Sequence, residues 1–534
     1  MSNLLDKASI VTTPTAYDNG KILSVKPNTS VGDFDFTRNS SATRVNSQGL
    51  IEDVQILSSN LVSNGDFATD SDWGKLNATI SGGTGNLDGD GQTSLLYQNI
   101  LTNGKTYKVT FTASDYNGLG EARVINSNGA PLYVITSNGT FTFTFTHSHT
   151  SGDFLFRART GAIFSVDNIS VMEITEDTNL PRIDYTGGVG HWLFEPQSTN
   201  LVTYSSDFSN ASWVKSGLSV TDNTIISPDG TLNAAKLVEE NQSGGKNITG
   251  ISFSASTTNT FSVYAKASER EWILVYFNGG GNGGYYFDVK NGVIGTKVGS
   301  NTGTPLIEDV GNGWYRCSIT HLSSSSSNVQ LYIAQDDNVF SYQGDGTSGL
   351  YTWGAQLEQQ SFATSYIPTN GSTVTRLQDA AFGAGSSDLI NSTEGVLYAE
   401  IAALANDLTN KQISLNNGTT DDRIQLYYSA SSNQISVFYK SQSGASTFIL
   451  NHTLSDITQF NKVAFKWKQN DFALWSNGVE VATQTSGVTS SADTLTKLDF
   501  QQFNGSADFF GKTKCVAVFK EALTDAELTC LTTI

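Results

Sequence analysis

Histidine, cysteine, proline and methionine are all scarce in this 534-residue chain, at five, three, eight and two residues. Cys317, Cys515 and Cys530 stand in unrelated contexts without CxxC spacing, which excludes a disulfide framework. His147 and His149 could share one strand face as metal ligands, but no third ligand lies nearby, and a solvated strand end is the simpler reading. There is no G-x-S-x-G elbow, phosphate-binding P-loop or H-E-x-x-H pair. No window approaches the run of about 18 apolar residues that a membrane-spanning helix needs, so no membrane insertion is expected. The first residues lack the charged and apolar regions of a signal peptide, and synthesis in a cytoplasm is the expectation. Positive charge is short as well. With 31 Lys and Arg against 50 Asp and Glu the net charge is −19, and no basic run exists, so nucleic acid is not an expected partner.

What is present is glycine (50 residues), aromatics at 11%, and turn-rich stretches of Ser, Thr and Asn. Aromatic and β-branched residues fit a pleated, half-buried surface, so the fold class is all-β, and the length suggests roughly three or four domains. A long-period repeat organises them. Asn60-Leu61-Val62, Asp66-Phe67 and Trp73 recur as Asn200-Leu201-Val202, Asp207-Phe208 and Trp213, with the Asn and Trp displaced by 140 residues. That period fits a whole β-sandwich rather than a solenoid coil. Strict alternation in Tyr107 to Thr112 and Thr140 to Thr146 marks half-buried strands, and Phe261 to Ala267 is the counterpart in the second copy.

The expected architecture is tandem β-sandwiches, two jelly rolls plus a third sandwich, preceded by an extended N-terminal arm. The boundaries are 1–55 for the arm, 56–178 and 200–376 for the jelly rolls, 179–199 for a Gly-rich connector and 385–534 for the last module. Gly279 to Gly284 and Ser323 to Ser327 read as loops of the second jelly roll. In the last module Asn477-Gly478 between alternating segments predicts a hairpin, and Thr524 with Glu527 predicts a capped helix.

Sugar-binding proteins stack rings on pyranose faces and bond the hydroxyls with amides. Trp272, Tyr276, Tyr285 and Tyr286 border the Gly-rich loop and are candidates for such a platform, as are Trp467 and Trp475 beside the hairpin. Each competes with a core role. Trp475 is the better placed of the last pair because it abuts the Ser476-Asn477-Gly478 turn. Asp66 and Asp167, at neighbouring ends of the first repeat, could hold a structural Ca²⁺, which takes oxygen ligands. The second copy keeps Asp207 but reads Trp353-Gly354 at the other position, which favours a turn role. No cofactor is required, and without a candidate carboxylate pair or an E-x-D-x-x-E strand no enzyme is expected.

Several segments together resemble bacteriophage virion fibre proteins of the tail-fibre and head-spike-fibre type. They are Asp35-Phe36-Thr37-Arg38-Asn39-Ser40-Ser41-Ala42-Thr43-Arg44-Val45-Asn46, Pro181-Arg182-Ile183-Asp184-Tyr185, Leu193-Phe194-Glu195-Pro196-Gln197-Ser198-Thr199-Asn200-Leu201, Gly311-Asn312-Gly313-Trp314-Tyr315-Arg316, Trp353-Gly354-Ala355-Gln356-Leu357-Glu358, Ser365-Tyr366-Ile367-Pro368-Thr369 and Thr373-Val374-Thr375-Arg376. The two repeats look like carbohydrate-binding-module jelly rolls. The last module is similar to concanavalin A-like (laminin-G-like) lectin domains through Asn477-Gly478-Val479 and Ala522 to Leu528.

The resemblance implies a virion fibre displayed on the particle surface, on tail or head, commonly a homotrimer. Its arm would meet other virion proteins, with Phe36, Arg38 and Arg44 as the anchor, and its lectin-like module would face host surface glycans. The alternatives are a structural head fibre or decoration protein without a receptor role, and a fibre-borne glycan depolymerase.

Overall fold

The computed structural model describes residues 2–253, 257–279, 282–300, 303–322, 325, 327–441 and 445–534. Parts of the two expected loops, Gly280 and Gly281 in one and Ser323, Ser324 and Ser326 in the other, lie outside the described residues. The regular structure of the described chain is almost entirely antiparallel β-sheet. It divides into two compact units, one of residues 55–177 with 223–234, the other of residues 1–54, 178–222 and 235–534.

The smaller unit is a sandwich of a six-stranded and a five-stranded sheet. The six-stranded sheet runs Gly139–Thr146, Thr106–Ser114, Ile163–Glu176, Thr84–Asp88, Ala78–Ser81, with Ile56–Leu57 also on Ile163–Glu176. Alternation explains the layering: Tyr107, Val109, Phe111 and Ala113 face the core, while Thr106, Lys108, Thr110 and Thr112 face away from it. In the larger unit, residues 200–222 and 235–376 build a second sandwich around Val202, Phe208, Trp213, Phe261, Val275 and their neighbours.

The repeated residues do the same work in both copies. The Asn60 Oδ1 accepts from the Val62 and Val171 amides at 3.1 and 2.9 Å, and the Asn200 Oδ1 accepts from Val202 and Leu357, both at 3.1 Å. Each asparagine thus ties the first segment of its sandwich to the last strand. Trp73 donates Nε1–H to the Asn64 carbonyl and packs 5.3 Å from Phe67; Trp213 donates to Tyr204 and packs 5.1 Å from Phe208. A bulge recurs too, at Asn168 (φ 52°) in one copy and at Gly354 (φ 63°) in the other. Asparagine and glycine are the residues that tolerate this left-handed backbone.

The C-terminal module is assembled from more of the chain than residues 385–534. Its eight-stranded sheet includes Glu394–Ala403, Asn461–Lys468, Phe472–Ser476, Val479–Gln484 and Gly511–Phe519, and also Ile10–Thr12, Ile183–Asp184 and His191–Phe194. Ile10 pairs with Val518 and Trp192 with Thr513. Ile10, Ile22, Phe34, Phe36, Trp192 and Phe194 belong to one core with Leu397, Phe465 and Val516, and the Phe34 and Phe194 rings lie 5.1 and 4.7 Å from Phe500. Residues 1–54 are therefore not an extended arm: Ile10, Ile22, Phe34 and Phe36 are part of this module's core. The hairpin turns at Asn477 and Gly478, both left-handed, and the helix Asp525–Thr532 starts with a capping box of Thr524 and Glu527.

Candidate functional site

The recognisable motifs converge on one buried cluster rather than on a surface. Arg38 pairs with Asp379 at 3.0 Å, Arg182 with Asp379 and with Glu195 (2.5 Å), and Arg376 with Glu195 (2.7 Å). The Ser365 amide and hydroxyl both donate to Glu195 at 2.7 Å. Glu358 accepts from Ser198 at 2.6 Å and from the Thr364 amide at 3.0 Å. Burial opposes ionisation of Glu195, but Arg376, Arg182 and Ser365 outweigh it and hold the carboxyl well below the usual carboxylate range. Burial pushes Arg38 down to about 10 against the attraction of Asp379.

This cluster is a clasp among three chain segments, and with side chains at zero to a few per cent exposure it offers nothing to a ligand. It also corrects the anchor expectation. Phe36 and Arg38 are 2% and 1% exposed, enclosed by the chain's own residues, and cannot form a surface that meets another virion protein. Arg44 is half-buried and held by Glu52 and Tyr17.

The expected sugar platforms separate into two groups. Trp467 and Trp475 are core residues, at 0% and 5% exposure. The Trp467 ring stacks 6.3 Å from Phe465, and its Nε1–H reaches the Asn391 carbonyl at 3.1 Å. Trp475 packs with Leu528 and Leu531 of the C-terminal helix, and the Thr532 hydroxyl accepts from the Gly478 amide. The helix covers the turn that alternation alone leaves open. It also packs over Lys466 of the neighbouring strand, which is 6% exposed and reaches Asp471 at 2.8 Å.

The Gly-rich-loop residues form a real surface feature. In the second sandwich a seven-stranded sheet runs Val214–Ser216, Ser243–Phe253, Ser327–Ala334, Trp272–Gly279, Gly283–Asp288, Val293–Gly299, with Ser341–Gln343 on Ser243–Phe253. Ile273, Val275 and Phe277 point into the core, so Trp272, Leu274 and Tyr276 share the outer face. Register then fixes two rows across that face. One is Ser216, Asn247, Tyr332, Leu274, Tyr286; the other is Val214, Thr249, Gln330, Tyr276, Gly284, Val298.

Trp272, Tyr276, Tyr332, Asn247, Thr249 and Gln330 are half-buried. The Tyr276 and Tyr332 rings meet edge-on at 6.4 Å, Phe340 lies 5.2 Å from Tyr332, and the Tyr332 hydroxyl donates to Gln330 Oε1 at 2.7 Å. Tyr286 lies in this layer but is fully buried, its phenol pushed up to about 12 by burial and by Asp337. Tyr285 points the other way, against the core. Neither can stack on a sugar. Tyr332, Asn247 and Gln330 were not singled out from the sequence; alternation along Asn328 to Ala334 is the signal that marks them.

A second, smaller feature lies on the outer face of the five-stranded sheet of the C-terminal module. There Arg423, Gln425 and Tyr427 alternate with the core residues Ile424, Leu426 and Tyr428, beside Ser436, Phe438, Ile449 and Asn451. Gln425 donates to Gln412 at 2.9 Å, and the Arg423 guanidinium sits 4.7 and 5.1 Å from the Phe438 and Phe503 rings. A depression of about 440 Å³ near Glu394, Lys468 and Ser490 has a polar lining without an aromatic ring.

At the calcium candidates, Asp167 precedes the bulge residue and accepts from the Asn168 amide at 2.7 Å, while Asp66 is exposed and accepts from Ala68 at 3.4 Å. No group of three or more His, Cys, Asp or Glu suited to a metal ion occurs among the described residues. His147 and His149 both serve the loop at Ser151, by way of its carbonyl (3.0 Å) and its amide (3.1 Å).

Residues 397–529 match the model of the concanavalin A-like lectin/glucanases superfamily, of laminin G type. No curated protein matches the chain. Among solved structures, the sialidase CBM40 domain of Ruminococcus gnavus bound to α2,3-sialyllactose is 19% identical, over 27% of this chain and 83% of that one, with a TM-score of 0.24. Domain 4 of an extracellular arabinanase from Geobacillus stearothermophilus, in complex with arabinotriose, is 13% identical over 32% and 82%, with a TM-score of 0.25. The binding domain of botulinum neurotoxin serotype G is 12% identical over 29% and 39%, with a TM-score of 0.23.

Proposed function

We propose that this chain is a glycan-binding protein whose main sugar platform is the outer face of the seven-stranded sheet in the second sandwich. One observation carries the reading: half-exposed Trp272, Tyr276 and Tyr332 are interleaved on one surface with Asn247, Thr249 and Gln330. Rings supply apolar faces for the C–H side of a pyranose, and the amides supply donors and acceptors for its hydroxyls. The lectin-superfamily match of residues 397–529 is in keeping with the same role.

The platform suits a neutral glycan. Its two rows contain no Lys, Arg or His, and the carboxylates of Asp288 and Asp337 lie beside Trp272. In a chain of net charge −19, a sialylated or uronic ligand would meet net repulsion with no cation within the rows themselves.

The wider setting we propose is a virion fibre that uses such contacts for host attachment, by binding without catalysis. Support comes from the motif resemblance and from the convergence of Arg38, Arg182, Glu195 and Arg376 of those motifs in one clasp. Single weak sites would gain from many copies on one particle, since linked sites raise effective concentration. The test is binding of the whole chain to neutral and sialylated glycan arrays. Neutral oligosaccharides should be retained and lose at least about tenfold in affinity with Tyr276→Ala, whereas binding that Tyr276→Ala and Trp272→Ala leave unchanged sinks the assignment of this face. Release of sugar from host polysaccharide would replace binding with depolymerisation.

A further inference from the structure

We propose that the strand Gly139–Thr146 is a self-association edge, pairing antiparallel with the same strand of a second copy of this chain. It ends the six-stranded sheet of the smaller unit, bonded to Thr106–Ser114 on one side. Among the described residues its other side makes no backbone hydrogen bond. An open edge is a template for another strand, and monomeric proteins blunt such edges with charge, proline, bulges or short length. Four other edges carry those devices, Pro131 in Pro131–Val134, Pro305 and Glu308 in Thr304–Asp309, Lys297 in Val293–Gly299 and Glu480 in Val479–Gln484, while Ser446–Thr453 lacks them but has no self-complementary sequence. Gly139–Thr146 is eight residues long, has no charge or proline, and keeps regular register with its neighbour.

Its sequence selects the partner. Thr140 to Thr146 reads Thr-Phe-Thr-Phe-Thr-Phe-Thr, the same in both directions. A two-fold axis at Phe143 sets Phe141 against Phe145 and Thr142 against Thr144, so every residue meets its own kind on its own face. A slip of one residue would oppose Phe to Thr throughout. Both faces would gain. The threonines already pair by hydroxyl contacts with the neighbouring strand, Thr146 with Thr106, Thr142 with Thr110 and Thr140 with Thr112, at 2.9 to 3.0 Å. A second copy continues that ladder. On the other face Phe143 and Phe145 are only half-buried, with Tyr133 stacked 5.2 Å from Phe143, and the opposing phenyl rings complete their burial. Gly139 lies against Leu232, so the free length is the palindromic one. Such a contact is isologous and closes at two copies. Since each copy carries a charge of −19 and the edge carries none, added salt should strengthen the pairing by screening repulsion.

The test is the solution mass of the whole chain by light scattering at micromolar concentration, at low and moderate salt. The expected mass is two copies, shifted further from one copy as salt rises. Thr140→Lys with Thr144→Lys places unpaired cations across the two-fold on exposed positions and should return the mass to one copy while the far-UV circular dichroism stays that of the folded chain. In a Cys530→Ser background, Thr142→Cys with Thr144→Cys should oxidise to a covalently linked dimer, because opposed residues of antiparallel strands lie within disulfide reach. A one-copy mass at every salt concentration, or any larger mass that the lysine variant leaves unchanged, overturns the proposal, as does absence of the linked dimer.

Discussion

Arg38 and Asp379, 341 residues apart in sequence, face each other at 3.0 Å with both side chains fully buried. Arg182 joins the same carboxylate, so a segment near the start of the chain, the connector between the sandwiches and the segment leading into the C-terminal module are held at one point. A buried ion pair is weak evidence of net stabilisation, but breaking one leaves an uncompensated charge. Removing either partner should therefore be costly.

Asp379→Asn should lower unfolding stability by about 3–5 kcal/mol, because Arg38 loses its countercharge and Arg182 loses one of its two. Asp35→Asn, which breaks the exposed Lys21–Asp35 pair, should cost less than about 1 kcal/mol. Chemical denaturation of both variants decides this; equal effects would mean that the clasp is not under electrostatic tension.

Asp508 gives a pH signature. Burial raises its carboxyl from 3.8 to about 6, one oxygen accepts from Gln378 at 3.0 Å, and the other has no partner. The folded state thus holds this proton more tightly than the unfolded chain. Its contribution to stability is full below pH 3.8, falls as pH rises to about 6, and stays lost above that. Asp508→Asn should stabilise the protein at pH 7 by up to about 3 kcal/mol, with the gain vanishing at pH 3.8. A gain that does not depend on pH would assign it to packing instead.

Tyr276→Ala and Trp475→Ala should behave in opposite ways. The first removes a half-exposed ring, so glycan affinity should fall at least about tenfold while melting barely moves. The second empties a site beneath the C-terminal helix and should cost about 3–5 kcal/mol, with glycan binding by the remaining folded protein unchanged. Melting curves and glycan titrations on both variants check the pair together.

A fragment of residues 385–534 should fold poorly alone, since Ile10, Phe34, Phe36, Trp192 and Phe194 fill its core from elsewhere in the chain. Its melting transition should be broad and rich in exposed apolar surface. A fragment with residues 1–54 and 178–199 joined to it should melt more cooperatively. A sharp transition for 385–534 by itself would show that these outside residues are dispensable.

Much of the architecture was legible in the sequence because the signals were local. Period-2 alternation located the strands, Asn477-Gly478 the hairpin and Thr524 with Glu527 the helix cap, while the Asn60 and Asn200 repeat exposed the duplicated sandwich. The misassignments share one cause. Whether Trp475, Phe36 or Arg38 is exposed depends on which distant segment lies over it, and alternation within a strand cannot report that. Tyr285 and Tyr286 show the limit from the other side: adjacent residues of a strand face opposite ways, so the pair could never have formed a single platform.

The pairing of Ile10 with Val518 also sets a timetable. At roughly 5–20 residues per second on the ribosome, on the order of a minute passes before the first strand's partner is made. Throughout that time Ile22, Phe34 and Phe36 have no finished core to enter. A product of interrupted translation that stops short of Val518 lacks the strand against which its own beginning must close. Such a chain stays open to proteases, so the fold itself distinguishes finished molecules from truncated ones.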